Sequence, residues 1–247
     1  MNFSILRFDS LDSTNTEALR QAKLGADEGL CVIADRQTAG RGRLGRKWVS
    51  GDGSGLYFSV VLRPKLETAY LPLITLMAGL AVYDTLMEFG LKPDIKWVND
   101  VLIGDNKISG ILAETVDTPR GLAVVLGIGI NLASANFSDE IGASATSIKE
   151  ETGKSVSASE VAERLTGYIS YFYEILGSES GREEILKQWQ RRSSYFIGRP
   201  VRVTLHQGSV EGVTDGLEIN GALRVKRSDG SVAIIQAGDV ERLRRQI

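Results

Sequence analysis

Between Arg36 and Trp48 the chain reads Arg-Gln-Thr-Ala-Gly-Arg-Gly-Arg-Leu-Gly-Arg-Lys-Trp, with five cations (Arg36, Arg41, Arg43, Arg46, Lys47), three glycines (Gly40, Gly42, Gly45) and no acid. Such a segment cannot be core, because unpaired charges do not leave water. Glycine lets the backbone approach a ligand closely, and guanidinium forks offer paired donors to carboxylate or phosphate. The chemistry indicated is the wrapping of an anion. Nucleic acid is one such anion, reached through phosphate contacts or a minor groove. A charged loop that is merely solvated fits the same residues.

Composition narrows the choice. A formal net charge of -2 over 247 residues gives no whole-molecule grip on DNA, so the basic run is a local feature. Cys31 is the sole cysteine and sits in the apolar run Leu30-Cys31-Val32-Ile33-Ala34, which reads as an inert buried thiol. His206 is the sole histidine, in a late polar stretch. An internal disulfide, a Ser/His/Asp triad and a multi-histidine metal site are therefore excluded. Met1 to Arg7 lacks the pattern of a signal peptide, and apolar runs are broken by polar residues, so a cytoplasmic protein with no membrane segment is expected.

The loop needs rigid flanks, and both are visible. Leu30–Ala34 reads as a short buried strand, and 55–62 as a second one stopped by Pro64. Ser13, Thr14 and Asn15 fall where a loop becomes a helix: Thr14 with Glu17 fits a capping box, and the same hydroxyls and amides could face a polar ligand. Residues 70–89 carry apolar residues at helical spacing, with Met77 and Met87 as core filler. Asp94–Ile103 and the segment from Lys107 to Glu114 read as two β arms joined by Gly104-Asp105-Asn106, gathering Lys96, Asn99, Asp100 and Lys107. Gly121–Leu132 reads as a buried strand whose Gly127 and Gly129 imply close approach to its backbone, ending at Asn131. Residues 133–156 read as loop, with order possible at 145–148. Helices are expected from a capping box at Ser157 and Glu160 to Leu176, and from Arg182 to about Phe196. From Gly198, short alternating runs punctuated by Asn220-Gly221, Asp229-Gly230 and Ala237-Gly238 predict a small separate β unit.

In order and spacing, five motifs resemble the biotin protein ligases: Ser13-Thr14-Asn15; Gln37 to Trp48 with its Gly40-Arg41-Gly42-Arg43-Leu44-Gly45-Arg46 centre; Lys96-Trp97-Val98-Asn99-Asp100; Lys107-Ile108-Ser109-Gly110-Ile111-Leu112; and Gly127-Ile128-Gly129-Ile130-Asn131. The chain departs from the family where Val98 replaces its usual proline, and at Val49-Ser50-Gly51, where a proline is common. With catalytic motifs starting almost at Met1, the resemblance is to a short form without the winged-helix DNA-binding domain of some members.

The resemblance implies an α+β fold: a mixed, largely antiparallel sheet flanked by helices, like that of class II aminoacyl-tRNA synthetases, over residues 1–197, and an SH3-like β-barrel over 198–247. It implies an ATP-dependent ligase, with ATP, biotin and Mg²⁺ as substrates and ion, and a biotin carboxyl-carrier domain as partner. Nucleic acid and membrane are not expected partners; a homodimer is left open. Lys107, Arg43 and Asp100 would be catalytic. Biotin would be met by Ser13, Thr14, Asn15, Gln37, Arg41, Gly42, Arg43, Lys107 and Gly110. The nucleotide would be met by Arg41, Arg43, Arg46, Lys96, Asn99 and Asn131, the last at adenine, with Trp48 packing there or serving structure alone. Asp100 would anchor metal or the incoming lysine. A biotin sensor without turnover and a lipoate-type ligase are the alternatives, although the lipoate branch carries an arginine and triple-glycine segment in place of Gly-Arg-Gly-Arg.

Overall fold

Alternating apolar residues build a seven-stranded sheet from β1 (Ser4–Leu11), β2 (Leu30–Gln37), β3 (Gly55–Leu62), β4 (Pro93–Lys96), β5 (Asp100–Ile103), β6 (Asn106–Thr118) and β7 (Gly121–Asn131). The computed structural model describes residues 1–51, 53–133 and 144–242. The spatial order is β1-β2-β3-β7-β6-β5-β4; β1 and β2 run parallel and all other neighbours antiparallel.

One face of this sheet carries Leu56, Phe58, Val60 and Leu62 of β3 beside Val124, Leu126, Ile128 and Ile130 of β7, all buried. They pack on α2 (Leu73–Glu88), which α4 (Ala158–Leu176) and α5 (Gly181–Arg192) cover from outside. Enclosure on both sides explains why α2 is apolar all round. The stretch Thr68–Glu88 is long and apolar enough to cross a membrane by composition, contrary to the expectation that no run is, but it serves as this core helix. Met77 is fully buried, whereas Met87 is 46 % exposed on the outer surface and is not core filler. The opposite face is covered by α1 (Thr14–Lys23), whose Ala18 and Ala22 meet Val32, Val61, Ala123 and Val125.

Several expected elements are differently built. The β arm at 94–103 is divided: β4 and β5 pair with each other, Lys96 opposite Asp100, around a turn whose Trp97–Val98 peptide is cis. Trp97 is buried, the Asn99 side-chain amide donates to Ile111 O and the Asn99 backbone carbonyl accepts from Ile111 N, so side-chain and backbone partners together hold this turn. Ser13, not Thr14, stands at the N-cap of α1, with no side-chain capping bond, and Glu17 pairs with Arg20. A short helix α3 (Ile148–Thr152), capped by Ser147, lies within the stretch expected to be loop; residues 134–143 of that stretch lie outside the described residues. Ser157 caps α4 as expected. Helix α5 stops at Arg192 rather than near Phe196, because Ser193 and Ser194 hydrogen-bond Ile95 O and the Asp94 carboxylate.

The last strands, β8 (Ile197–Thr204), β9 (Ser209–Leu217), β10 (Leu223–Lys226), β11 (Val232–Ile235) and β12 (Asp239–Arg242), form a separate antiparallel sheet in the order β11-β10-β9-β8-β12. Asn220-Gly221 and Asp229-Gly230 turn hairpins, with positive φ at both glycines. Ala237-Gly238 instead carries the chain from one edge strand to the other. Val201, Val203, Leu223 and Val225 belong to the same buried cluster as α2, so the two sheets share one core. Trp97 crosses between them, its indole N–H donating to Gly221 O at 3.0 Å. Replacing Trp97 by Phe keeps most of the apolar volume but strands that buried carbonyl. A loss of about 1–3 kcal/mol is expected, read as a melting temperature several degrees lower; an unchanged melt would show that the indole bond does not tie the sheets.

Candidate active site

The pleat places Ala123, Val125, Gly127, Gly129 and Asn131 of β7 on the face that α1 covers. The first two fill the space under α1, and the two glycines leave theirs open to other groups. Gly110 of β6 lies opposite Gly129, and Leu112 opposite Gly127. Over this glycine floor lies a cavity of about 120 Å³, roofed by the arginine loop.

The missing Cβ atoms are used. A Cβ on Gly127 would lie 2.0 Å from Asn15 Oδ1, and one on Gly129 2.5 Å from the Trp48 indole. Trp48 thus occupies the space above Gly110 and Gly129, its buried N–H without a partner among the described residues.

The polar end of the cavity is made by the start of α1. Gln37 Oε1 accepts from the Thr14 amide at 2.8 Å and from its hydroxyl at 3.2 Å, while Gln37 Nε2 donates to Ser50 Oγ. Ser59 Oγ lies 2.8 Å from Thr14 Oγ1 and donates to Asn15 Oδ1 at 2.6 Å. Ser13 lines the same end and is buried. Thr14 and Asn15 are therefore held by tertiary bonds, which is why helix capping does not describe them.

At the other end stands a charge cluster. Lys107 Nζ is 2.6 Å from Asp100 Oδ1, and Lys96 Nζ is 3.4 Å from Asp100 Oδ2. Burial pushes the Asp100 carboxyl up, but the two ammonium groups outweigh it and hold that carboxyl below its ordinary range. A β-bulge aims Lys107 inward: Val101 pairs with Ser109 and Leu102 with Lys107, so Ile108 is the extra residue. Without it, Lys107 and Gly110 would point to opposite faces; with it, both line the cavity.

The loop itself is a small hairpin, bridged between Arg41 and Lys47 and turned at Arg43–Gly45, with Leu44 at φ 56°. Each of three arginines has a different anchor. Arg41 pairs with Glu114 of β6 at 2.6 Å, Arg43 donates to Asn99 Oδ1 at 2.9 Å, and Arg46 pairs with Asp239 of β12. Burial lowers the Arg43 guanidinium from its ordinary value, against the pull of Asp239 and Asp100.

The cavity wall includes Ser13, Thr14, Asn15, Gln37, Arg41, Gly42, Arg43, Arg46, Trp48, Asn99, Asp100, Lys107 and Gly110. Lys96 and Asn131 do not line it. Lys96 acts behind Asp100, and the Asn131 amide is spent on Thr146 O at 2.9 Å and Lys107 O at 3.4 Å, so it backs the lysine's strand. Ser59, Tyr57, Glu114 and Asp239 complete the site without having been expected. Ser59 is the one polar residue amid the apolar run of β3, a signal that was available; Asp239 comes from the second sheet, which no local pattern links to the loop. Cys31 is buried, its thiol pushed up to about 12 by burial, and His206 is exposed in the β8–β9 turn; neither touches the cavity.

Residues 7–131 match the model of the biotin/lipoate A/B protein ligase family, and residues 196–243 that of the biotin protein ligase C-terminal domain. The biotin–[acetyl-CoA-carboxylase] ligase of Paracoccus denitrificans is 34% identical over 238 residues, covering 93% of this chain and 96% of that protein. The bifunctional ligase/repressor BirA of Bacillus subtilis is 34% identical over 98% of this chain and 74% of its own length. The structure of the Aquifex aeolicus biotin protein ligase in complex with biotin and ATP superposes with a TM-score of 0.85 at 32% identity, over 97% of this chain and 99% of that one. With the loop, the glycine floor and the inward lysine in one cavity, and with these matches running from the first strand to the last sheet, the chain belongs to the biotin protein ligase family.

Proposed function

We propose that this cavity joins biotin to ATP and hands the product to a protein lysine. A biotin carboxylate oxygen attacks the α-phosphorus, pyrophosphate leaves, and biotinyl-5′-AMP forms. A lysine amine of a biotin carboxyl-carrier domain then attacks the mixed anhydride; AMP leaves and an amide remains. Neither step requires a protein nucleophile. The difficulty is bringing two anions together, which calls for fixed positive charge and exclusion of water.

The observation that carries this reading is the charge on the wall: Arg41, Arg43, Arg46, Lys47 and Lys107 face only Asp100 and Asp239 there. In this assignment Lys107 bridges the carboxylate and α-phosphate, Arg43 closes over the adenylate, and Arg46 turns from Asp239 to phosphate. Thr14, Gln37 and Ser13 serve the uncharged ureido ring, with Leu112 along the apolar body. Trp48 packs on the nucleotide side. No group of three His, Cys, Asp or Glu able to hold a metal occurs among the described residues, so Mg²⁺ belongs with ATP as substrate, where Asp100 would meet it or the incoming lysine. A cytoplasmic setting goes with the same reading.

Incubation with ATP, Mg²⁺, biotin and a carrier domain should add one biotin mass to one lysine over many turnovers; a single turnover, or lipoate accepted in place of biotin, would overturn the assignment. Lys107→Ala should lower biotin-dependent pyrophosphate exchange by at least about a hundredfold in a chain that still folds cooperatively, with a melt lowered by the loss of the Asp100 pair. Arg43→Ala should release adenylate and label bystander proteins, whereas retained selectivity would remove Arg43 from its closing role. Because the Asp100 carboxyl titrates below the ordinary 3.8, its pairing stabilises the fold fully above that pH and is lost as pH falls through the lower folded value. The stability gap between wild type and Asp100→Asn should therefore stay constant above pH 3.8 and narrow below it; a gap that narrows near neutrality would contradict this.

A further inference from the structure

Glu114 does not line the cavity, yet both its carboxylate oxygens are engaged beside it. One accepts from Arg41 Nη2 at 2.6 Å and the other from Asn15 Nδ2 at 3.0 Å. Asn15 is fixed further by Leu112 O and Ser59 Oγ, and Ser59 reaches Thr14. A continuous line of hydrogen bonds therefore runs from the polar end of the cavity, through Glu114, to the root of the arginine loop. Arg41 is bridged across the loop's base to Lys47, so holding Arg41 holds both limbs of the hairpin. The three arginines differ in what an incoming anion can do. Arg43 and Arg46 are held by Asn99 and Asp239, which line the cavity themselves, so a phosphate there can take their place. Arg41 is held by a carboxylate on the same sheet face but outside the cavity wall, so an anion seated in the cavity does not take its place.

We propose that Glu114 is a positioning residue that makes Arg41 the anchor of the loop rather than a ligand contact, and so sets how long the adenylate is retained. This rests on the ligase reading. Glu114→Gln keeps an acceptor for Asn15 and removes the partner charge of Arg41. It should raise the release rate of pre-formed biotinyl-5′-AMP roughly tenfold, the worth of one charge-assisted hydrogen bond, with bystander labelling, while the exchange rate at saturating substrates changes far less. Arg41→Gln should raise the release rate to the same degree, and the double variant should release no faster than either single one. Wild-type retention in either variant overturns the proposal, as do effects that multiply, since then Arg41 touches the ligand independently. Exchange rate and melting temperature falling in step would reduce Glu114 to a structural part. If Glu114→Gln does not fold, Glu114→Asp, which keeps charge but shortens reach, takes its place in the cycle. Trypsin cleavage after Arg43, Arg46 or Lys47 in the ligand-free protein should also quicken in the Glu114 variant. A wild-type chain that makes no adenylate defeats the ligase reading, and the cleavage rate then decides the anchor alone.

Discussion

The site exists because three neighbouring positions on one sheet face carry no side chain. Gly110, Gly127 and Gly129 lie side by side across β6 and β7, and the pleat would otherwise fill that space as Val125 and Ala123 fill the space under α1. Glycine weakens a strand, but β7 is flanked by β3 and β6 along its length, so the ladder supplies what the residues lack. The hole is lined by rigid backbone, and Asn15 and Trp48 are admitted to it by the missing Cβ atoms.

Into that rigid hole the chain brings more cations than acids, and holds them with its own carboxylates. Asp100 holds Lys107 and Lys96, Asp239 holds Arg46, and Glu114 holds Arg41. The partly exposed Arg46–Asp239 pair on the cavity wall is worth about 0–1 kcal/mol, enough to order the side chains and too little to resist a polyanion. The protein thereby avoids leaving unpaired charge at a half-buried wall, and the positive groups stand near where a phosphate would be needed. The same economy accounts for the mixed acid and base content of a site that must take in two anions.

The arginine loop, the two glycines of β7 and Lys107 are legible in the sequence, because each is a local statement about backbone freedom or charge. The α+β architecture is legible too, since periods of two and of 3.6 residues separate the strands from α2 and α4. Tertiary events are not. The capping box at Thr14 fails because Gln37 and Ser59, distant in sequence, bind its hydroxyl. The single arm at 94–103 fails because a buried indole and the Asn99 amide stabilise a turn there, for which the pair Asn99-Asp100 is the one local signal. Asn131 and Lys96 read as ligand contacts by their motifs; neither lines the cavity, the one bonded to Thr146 O and the other paired with Asp100.

A reaction without a protein nucleophile puts its whole demand on position, and position here descends from sheet register. Gly110 faces Asp100 across β5 and β6, and the bulge at Ile108 turns Lys107 toward the same side. One residue more or fewer in that strand would send the ammonium into the α2 core, where an unpaired charge cannot stay. The carbonyls of β6 and the residues leading into α3 fix the bulge from below: Lys107 N donates to Ser144 O, Thr146 N to Lys107 O, and Asn131 to both Thr146 and Lys107 carbonyls. The second sheet then closes the arrangement, since Asp239 reaches the loop from β12 while Trp97 ties its Gly221 to the turn that carries Asn99. The two sheets share a core, so a shift in either would move Arg46 relative to Lys107; the geometry for two anions is thus a property of the whole chain and not of the loop alone.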